Sequence, residues 1–426
     1  MRQQAVVWIF LAGLMFAGAA AAAAGPPKHW EVGMPIVTYY AGPPMTDAVA
    51  RQMADAGFNL VWCTDVELDL VHKYGMRAMI RMDAILNPHA LDTEDGAARL
   101  DALIDRVKDH PAMYAYYIID EPNASQFPVL GKLAAHLRRR DPAHLAYINL
   151  FPTYATNEQL GNTGDTAAAY REHLRQFVTT VKPGLLSYDH YHFNADGTDG
   201  DQYFLNMALI RRAALAANLP WMNIIQGCTW TTVMRAPNAD ELRWLHYTSL
   251  AYGAQAISYF VYWYDGFYNE LTAGGMAPEK VGMLYRPDGT LTPQYLAAKE
   301  LNPQFLAVAA ELQSLRSLGA CHLGTVPLGA EPLREDAPFT LDFTGSETPM
   351  PAAGMLLGYF GRRGSLVRPS HALVVNLDYT KTISTTVVGP KNLEVFDAAA
   401  RAWAPAGGRR AKLALPPGGG ALVRVR

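Results

Sequence analysis

The chain is 426 residues long with a formal net charge of -3, and 50% of it is hydrophobic and 11% aromatic. Those totals exclude a nucleic-acid binder, which needs a basic face, and a disordered chain, which lacks the apolar residues for a core. They fit one large domain with a smaller companion.

Taken from the N-terminus, Arg2 precedes an apolar run from Ala5 to about Ala17 and a tract of alanines ending at Ala24. The pattern is that of a secretory signal peptide over 1–24, with an apolar stretch too short for an anchor. The mature chain is therefore expected to be periplasmic or secreted, free of the membrane. No cysteine stands near the cleavage site, which argues against a lipoprotein. Cys63, Cys228 and Cys321 are odd in number and widely spaced, so they make neither a disulfide framework nor a zinc site and read as small buried residues.

From Met34 onward, short apolar runs alternate with longer amphipathic segments. The runs predict strands over 35–40, 60–64, 77–82, 114–119, 145–150, 185–188, 221–225 and 256–262, each of a length suited to a parallel barrel. Helical stripes lie between them, as in Leu100, Leu103, Ile104 and Val107, or Tyr170, Leu174, Phe177 and Val181. Asn238 with Glu241 forms a capping-box signal, Thr292-Pro293 reads as N-cap and N1, and Lys182-Pro183-Gly184 stops a helix before a strand. Eight β/α pairs predict an α/β fold, a (β/α)8 TIM barrel over 25–318. An open doubly wound sheet is the competing architecture, but no glycine-rich phosphate loop follows the first strand. After Leu318, alternating runs such as Ala372-Leu373-Val374-Val375 and turns such as Gly389-Pro390 predict a small antiparallel, β-sandwich-like domain over 319–426.

One stretch stands apart: Tyr114-Ala115-Tyr116-Tyr117-Ile118-Ile119 runs directly into Asp120-Glu121-Pro122. A buried strand that ends on two adjacent carboxylates serves no packing purpose, because the charges repel and one is poised for proton chemistry. In a TIM barrel the C-terminal strand ends form the active site. Here they carry Tyr39-Tyr40, Asp65 and Glu67, Arg81 and Asp83, Asp120 and Glu121, and Asn149 and Tyr154. The later strands add Asp189-His190-Tyr191-His192, Gln226 and Trp230, and Trp263-Tyr264-Asp265. Aromatic faces beside carboxylates and amides suit a carbohydrate, whose C–H faces stack on rings while its hydroxyls take hydrogen bonds. Candidate contacts to a sugar are Tyr39, Asp65, Asn149, Tyr191, His190, Gln226, Trp230 and Trp263. Any one of Tyr39, Asp65 or Asp83 is equally well read as a core, capping or ion-paired group. His190 and His192 flank a tyrosine with no third ligand nearby, so no metal is expected, and no cofactor. A TIM-barrel lyase or metal hydrolase would need histidines on the first strand or a lysine at a strand end, and neither is present.

Over 34–318 the chain resembles the large clan of retaining TIM-barrel glycosidases, and more closely the β-galactosidase-like family 42 enzymes. The resemblance rests on Asp120-Glu121-Pro122, where the clan has Asn-Glu-Pro, and on Trp263, which matches an aromatic the clan places after strand eight. It implies that Glu121 is the general acid. The departure is at strand seven, where Asn223-Ile224-Ile225-Gln226-Gly227 offers glutamine in place of the clan's nucleophilic glutamate. Asp189 is the first candidate to replace it, as base for a water at a carboxyl separation of about 6.5–9.5 Å, or as nucleophile at about 5–5.5 Å. A second route is similar to that of the substrate-assisted hexosaminidases, with Asp120 orienting an acetamide and Tyr191 bonding it. A third reading is a catalytically dead carbohydrate-binding barrel.

Overall fold

A computed structural model describes residues 35–363 and 368–426. The expected signal peptide at 1–24 lies outside the described residues. Eight parallel strands carry the first part of the chain: β1 (Ile36–Tyr40), β2 (Leu60–Cys63), β3 (Arg77–Ile80), β4 (Met113–Asp120), β5 (Leu145–Asn149), β6 (Leu186–His190), β7 (Trp221–Gln226) and β8 (Ala256–Phe260). They form two four-stranded sheets, in the orders β1-β8-β7-β6 and β2-β3-β4-β5. At one seam the Asn59 N–H bonds Val37 O at 3.1 Å, and at the other Leu150 bridges Tyr188 in parallel register.

The strands form because their apolar runs are buried on both sides, by side chains of neighbouring strands within and by helices without. Helix Glu94–Val107 turns Leu100, Leu103, Ile104 and Val107 inward, the stripe expected of it. Helix Ala239–Tyr252 starts on Asn238, whose side chain accepts from the Asp240 and Glu241 N–H groups, and Pro293 follows the N-cap Thr292 of helix Pro293–Gln313. Three strand ends differ from expectation by two residues, the first being β3, which stops at Ile80. β6 continues through Asp189 and His190 because its pairing with β7 persists to His190 opposite Ile225. β8 stops at Phe260, since the next N–H groups, of Tyr262 and Trp263, turn to Ala41 O.

The rest of the chain is antiparallel, apart from the short strand Glu331–Pro332, which pairs in parallel with Leu315–Leu323. A seven-stranded sheet includes Leu315–Leu323, Met355–Arg362, His371–Asn376 and Gly420–Val425, and a three-stranded sheet is made of Thr340–Asp342, Ile383–Val388 and Arg410–Leu415. Alternation divides the larger sheet's side chains: Met355, Leu357 and Val374 face the small sheet, whereas Leu356, Leu373 and Val375 join the main core. Helix Ala239–Tyr252 lies against that second face. Gly358 permits the approach, because a Cβ there would collide with the Ala251 carbonyl. None of the described helices is long and apolar enough to cross a membrane.

Candidate active site

Two strands deliver three carboxyl groups to one place. Asp120 is the last residue of β4, Asp189 stands near the end of β6, and Glu121 follows β4 with its N–H bonded to Asn149 O at 3.0 Å. Glu121 has φ of 44°, a left-handed conformation that costs a residue with a Cβ roughly 1–2 kcal/mol. Strain of that kind persists where its surroundings enforce it, and here it turns the side chain back over the strand ends.

Asn149, the last residue of β5, organises the cluster. Its Oδ1 accepts from Ser187 Oγ at 2.9 Å, which fixes the amide so that Nδ2 donates to both Asp120 Oδ1 and Asp189 Oδ1, each at 3.0 Å. Tyr40 completes the cradle by donating its O–H to Asp120 Oδ2 at 2.9 Å. Asp120 is raised by burial, against which the Asn149 and Tyr40 bonds and the Arg81 charge act. Glu121 is raised well above the usual carboxylate range by burial and by the charges of Asp189 and Asp120, and Asp189 is raised by burial and Asp120. Hydrogen bonding between the two carboxyls raises Glu121 further and acts to lower Asp189. Buried carboxylates in contact cannot both ionise at ordinary cost, so the pair holds a proton between them.

The cluster opens into a cavity of about 520 Å³, a size that suits a small ligand. Phe151, Tyr154, Tyr191, Trp230 and Phe260 supply aromatic walls, with Ile224, Val233 and Met234 between them. Among the described residues, Asp120, Glu121 and Asp189 are its only acids, and no lysine or arginine lines it. A neutral, hydroxyl-rich ligand with apolar faces fits that lining, whereas an anion would meet only negative charge.

Of the side chains expected at the site, Asp120, Glu121, Asn149, Asp189, Tyr191 and Trp230 come together here. Five do not reach the cavity. Tyr39 packs on Phe58 and Tyr262, and its hydroxyl accepts from Trp62 N at 3.2 Å; one residue on, the alternation of the strand brings Tyr40 to the site instead. Asp65 is held by Arg106 Nη2 at 2.8 Å. His190 is buried between Tyr154 and Tyr203, bonds Asn206 Oδ1 at 3.0 Å, and is pushed down to about 3 by burial, so it is a neutral packing group. Trp263 turns toward Asp265, Tyr268 and Tyr285, because the chain leaves the ladder after Phe260, and Phe260 is the aromatic of strand eight that lines the cavity. With β1 buried along nearly its whole length, no local signal separated Tyr40 from Tyr39, and none marked Phe260.

Gln226 is the most informative of the five. Its Oε1 accepts from the N–H groups of His192 and Phe193 at 2.8 and 2.9 Å, and its Nε2 donates to the carbonyls of Phe193 and Arg235 at 2.9 and 2.6 Å. Three of the bonds hold the loop after β6 and the fourth the loop after β7, so the Gln226 side chain at the end of β7 joins the two loops. Glutamate could accept the first two bonds, but its other oxygen would face two carbonyls. Gln226→Glu is therefore expected to destabilise the fold by about 1–3 kcal/mol without raising any hydrolytic activity. Urea denaturation and a rate assay on the same preparation check both parts.

No family model and no curated protein matches the sequence. Among solved structures, the chain is similar to a glycoside hydrolase, at a TM-score of 0.50 and 11% identity over 92% of each chain. It is also similar to a glycoside hydrolase family 5 protein from Bacteroides vulgatus, at a TM-score of 0.47 and 12% identity over 92% of this chain and 89% of that one. A family 30 subfamily 8 xylanase from Clostridium acetobutylicum aligns at a TM-score of 0.44 and 11% identity over 91% and 94%. At these identities the likeness is one of fold: parallel α/β sheets followed by an antiparallel β part.

Proposed function

We propose that this protein is a glycoside hydrolase acting on a neutral oligosaccharide or glycoside, with Glu121 as general acid. The observation that carries the reading is the grouping of Asp120, Glu121 and Asp189 in an aromatic-walled cavity at the strand ends, where burial and like charge raise Glu121. A glycosidic oxygen is a poor leaving group until it is protonated, and a carboxylic acid kept neutral by burial and like charge is suited to that transfer. Asp120, fixed by Asn149 and Tyr40, lies beside Glu121 to favour the positive charge that develops on the ring.

The second group is Asp189 in this proposal. Its carboxyl interacts with that of Glu121 by hydrogen bonding in the resting site, whereas the two groups of a retaining pair stand about 5–5.5 Å apart and those of an inverting pair about 6.5–9.5 Å. A bound sugar must therefore part them, turning Glu121 to the leaving group and freeing Asp189 as base or nucleophile. One observation favours a second reading, in which an acetamide of the substrate attacks the anomeric carbon. The walls from β7 and β8 offer Ile224, Trp230 and Phe260 but no carboxylate, while Asp120 is pinned next to the acid in an orienting position.

Three further parts of the proposal are a closed eight-strand barrel over 25–318, a separate β domain over 319–426, and export directed by 1–24. Kinship with family 42 enzymes rests on Asp120-Glu121-Pro122 and on Trp263, whose ring packs on Tyr268 and Tyr285.

A panel of aryl glycosides with 2-hydroxyl or 2-acetamido groups, read by release of the phenol, tests the function. Turnover of 2-hydroxyl substrates is expected if Asp189 is the second group, and turnover confined to 2-acetamido substrates if the acetamide is. Saturable binding of sugars with no turnover across the panel would replace the hydrolase reading by that of a carbohydrate-binding barrel.

A further inference from the structure

The cavity at Glu121 does not stand alone. A second, more open cleft of about 1160 Å³ adjoins it, and the two share Trp230 and Thr231 as a common wall. The Trp230 ring stands between them: it meets Phe260, which lines the first cavity, edge-on at 5.0 Å, and Phe267, which lines the second, at 4.3 Å. Beyond Phe267 lies Tyr264, whose ring is 6.4 Å from it and which is 54% exposed, an uncommon placement for a large aromatic at the rim of a cleft. Glu270, Lys280 and Thr232 are exposed on the same cleft and offer hydrogen-bonding groups of both kinds. Thr231, at the divide, has φ of 56°, a strained conformation for a β-branched residue.

We propose that this cleft is a second carbohydrate subsite, which takes the sugar units next to the one held at Glu121, with Tyr264 and Trp230 as stacking platforms and Glu270 and Lys280 bonding hydroxyls. The substrate is thereby an oligosaccharide of two or more units that lies over the Trp230–Thr231 divide. This rests on the carbohydrate reading of the first cavity, but not on hydrolysis. Continuity argues for a chain of sugars as occupant: a ligand that leaves the first cavity past Trp230 enters a cleft with the same combination of exposed ring and polar rim. Stacking on an aromatic face adds affinity for each unit at little cost in specificity, so binding should strengthen with chain length.

The test is binding, made on protein with Glu121→Gln so that nothing is consumed. Cello-, xylo-, galacto- and chito-oligosaccharides of one to four units are titrated by calorimetry against that protein and against the same protein carrying Tyr264→Ala. The expected result is a series whose affinity rises about tenfold or more from one unit to three, with Tyr264→Ala abolishing the rise and leaving the single unit unchanged. Affinity independent of length, or a Tyr264→Ala effect equal at every length, overturns the subsite while leaving the first cavity's assignment intact. Length-dependent binding with no hydrolysis by the unaltered protein upholds the subsite and removes only the hydrolase. Failure of every sugar to bind overturns both.

Discussion

Glu121→Gln is expected to lower turnover of an aryl glycoside by about 10²–10⁴-fold while sugars still bind. Glutamine keeps the shape of the side chain and tolerates the same left-handed backbone, so the fold has no reason to change. Its amide can donate to Asp189 as the protonated acid does, which keeps the resting arrangement. What it cannot do is release a proton to the glycosidic oxygen. The loss should therefore depend on the leaving group: large for an ordinary phenol or sugar, small for dinitrophenolate, which departs without protonation. A comparison of kcat across such leaving groups isolates the proton transfer from every other effect, and an equal loss on all of them would assign Glu121 a structural role.

Asp189→Asn is expected to reduce kcat by at least about 10²-fold and to move the alkaline limb of the pH–rate profile to lower pH. Glu121 works only while protonated, and after burial the largest influence that keeps its proton on is the negative charge of Asp189. With that charge removed the proton leaves at lower pH. The same change acts on stability in the opposite sense to activity. Asp189 and Glu121 both have proton affinities raised above those of the unfolded chain, so the native state binds more protons between the unfolded and folded values, and stability falls as pH rises through that window. Removing one member of the pair lessens that fall. The variant is expected to gain about 1 kcal/mol or more relative to the parent at pH 8 and little at pH 4, as read by thermal unfolding. An unmoved alkaline limb would show that Asp189 does not govern Glu121.

That trade-off accounts for why the site is strained at all. Three acids, Asp189 buried and Asp120 and Glu121 half-buried, the last on a left-handed backbone, are held together by Asn149, Tyr40 and Ser187 against their own repulsion. A fold selected for stability alone would have no such cluster.

How much of this was legible beforehand follows from what a local pattern reports. The eight apolar runs, the Leu100–Val107 stripe, the Asn238 and Thr292 caps and the carboxylates after strand four are local features, set by periodicity and side-chain chemistry within a few residues, and the sequence by itself determined them. Asp189 was found the same way, as an acid where packing needs none. The tertiary structure decided what depends on strands brought together from afar: that Asn149 bridges Asp120 and Asp189, that Glu121 and Asp189 line one cavity, and that Gln226 makes four bonds to the backbone of two loops. It also decided which aromatic faces the cavity. Both faces of these strands are buried, so hydropathy does not separate Tyr40 from Tyr39, and the turn of the chain toward Ala41 after Phe260 carries Trp263 away from the position its place in the sequence suggested.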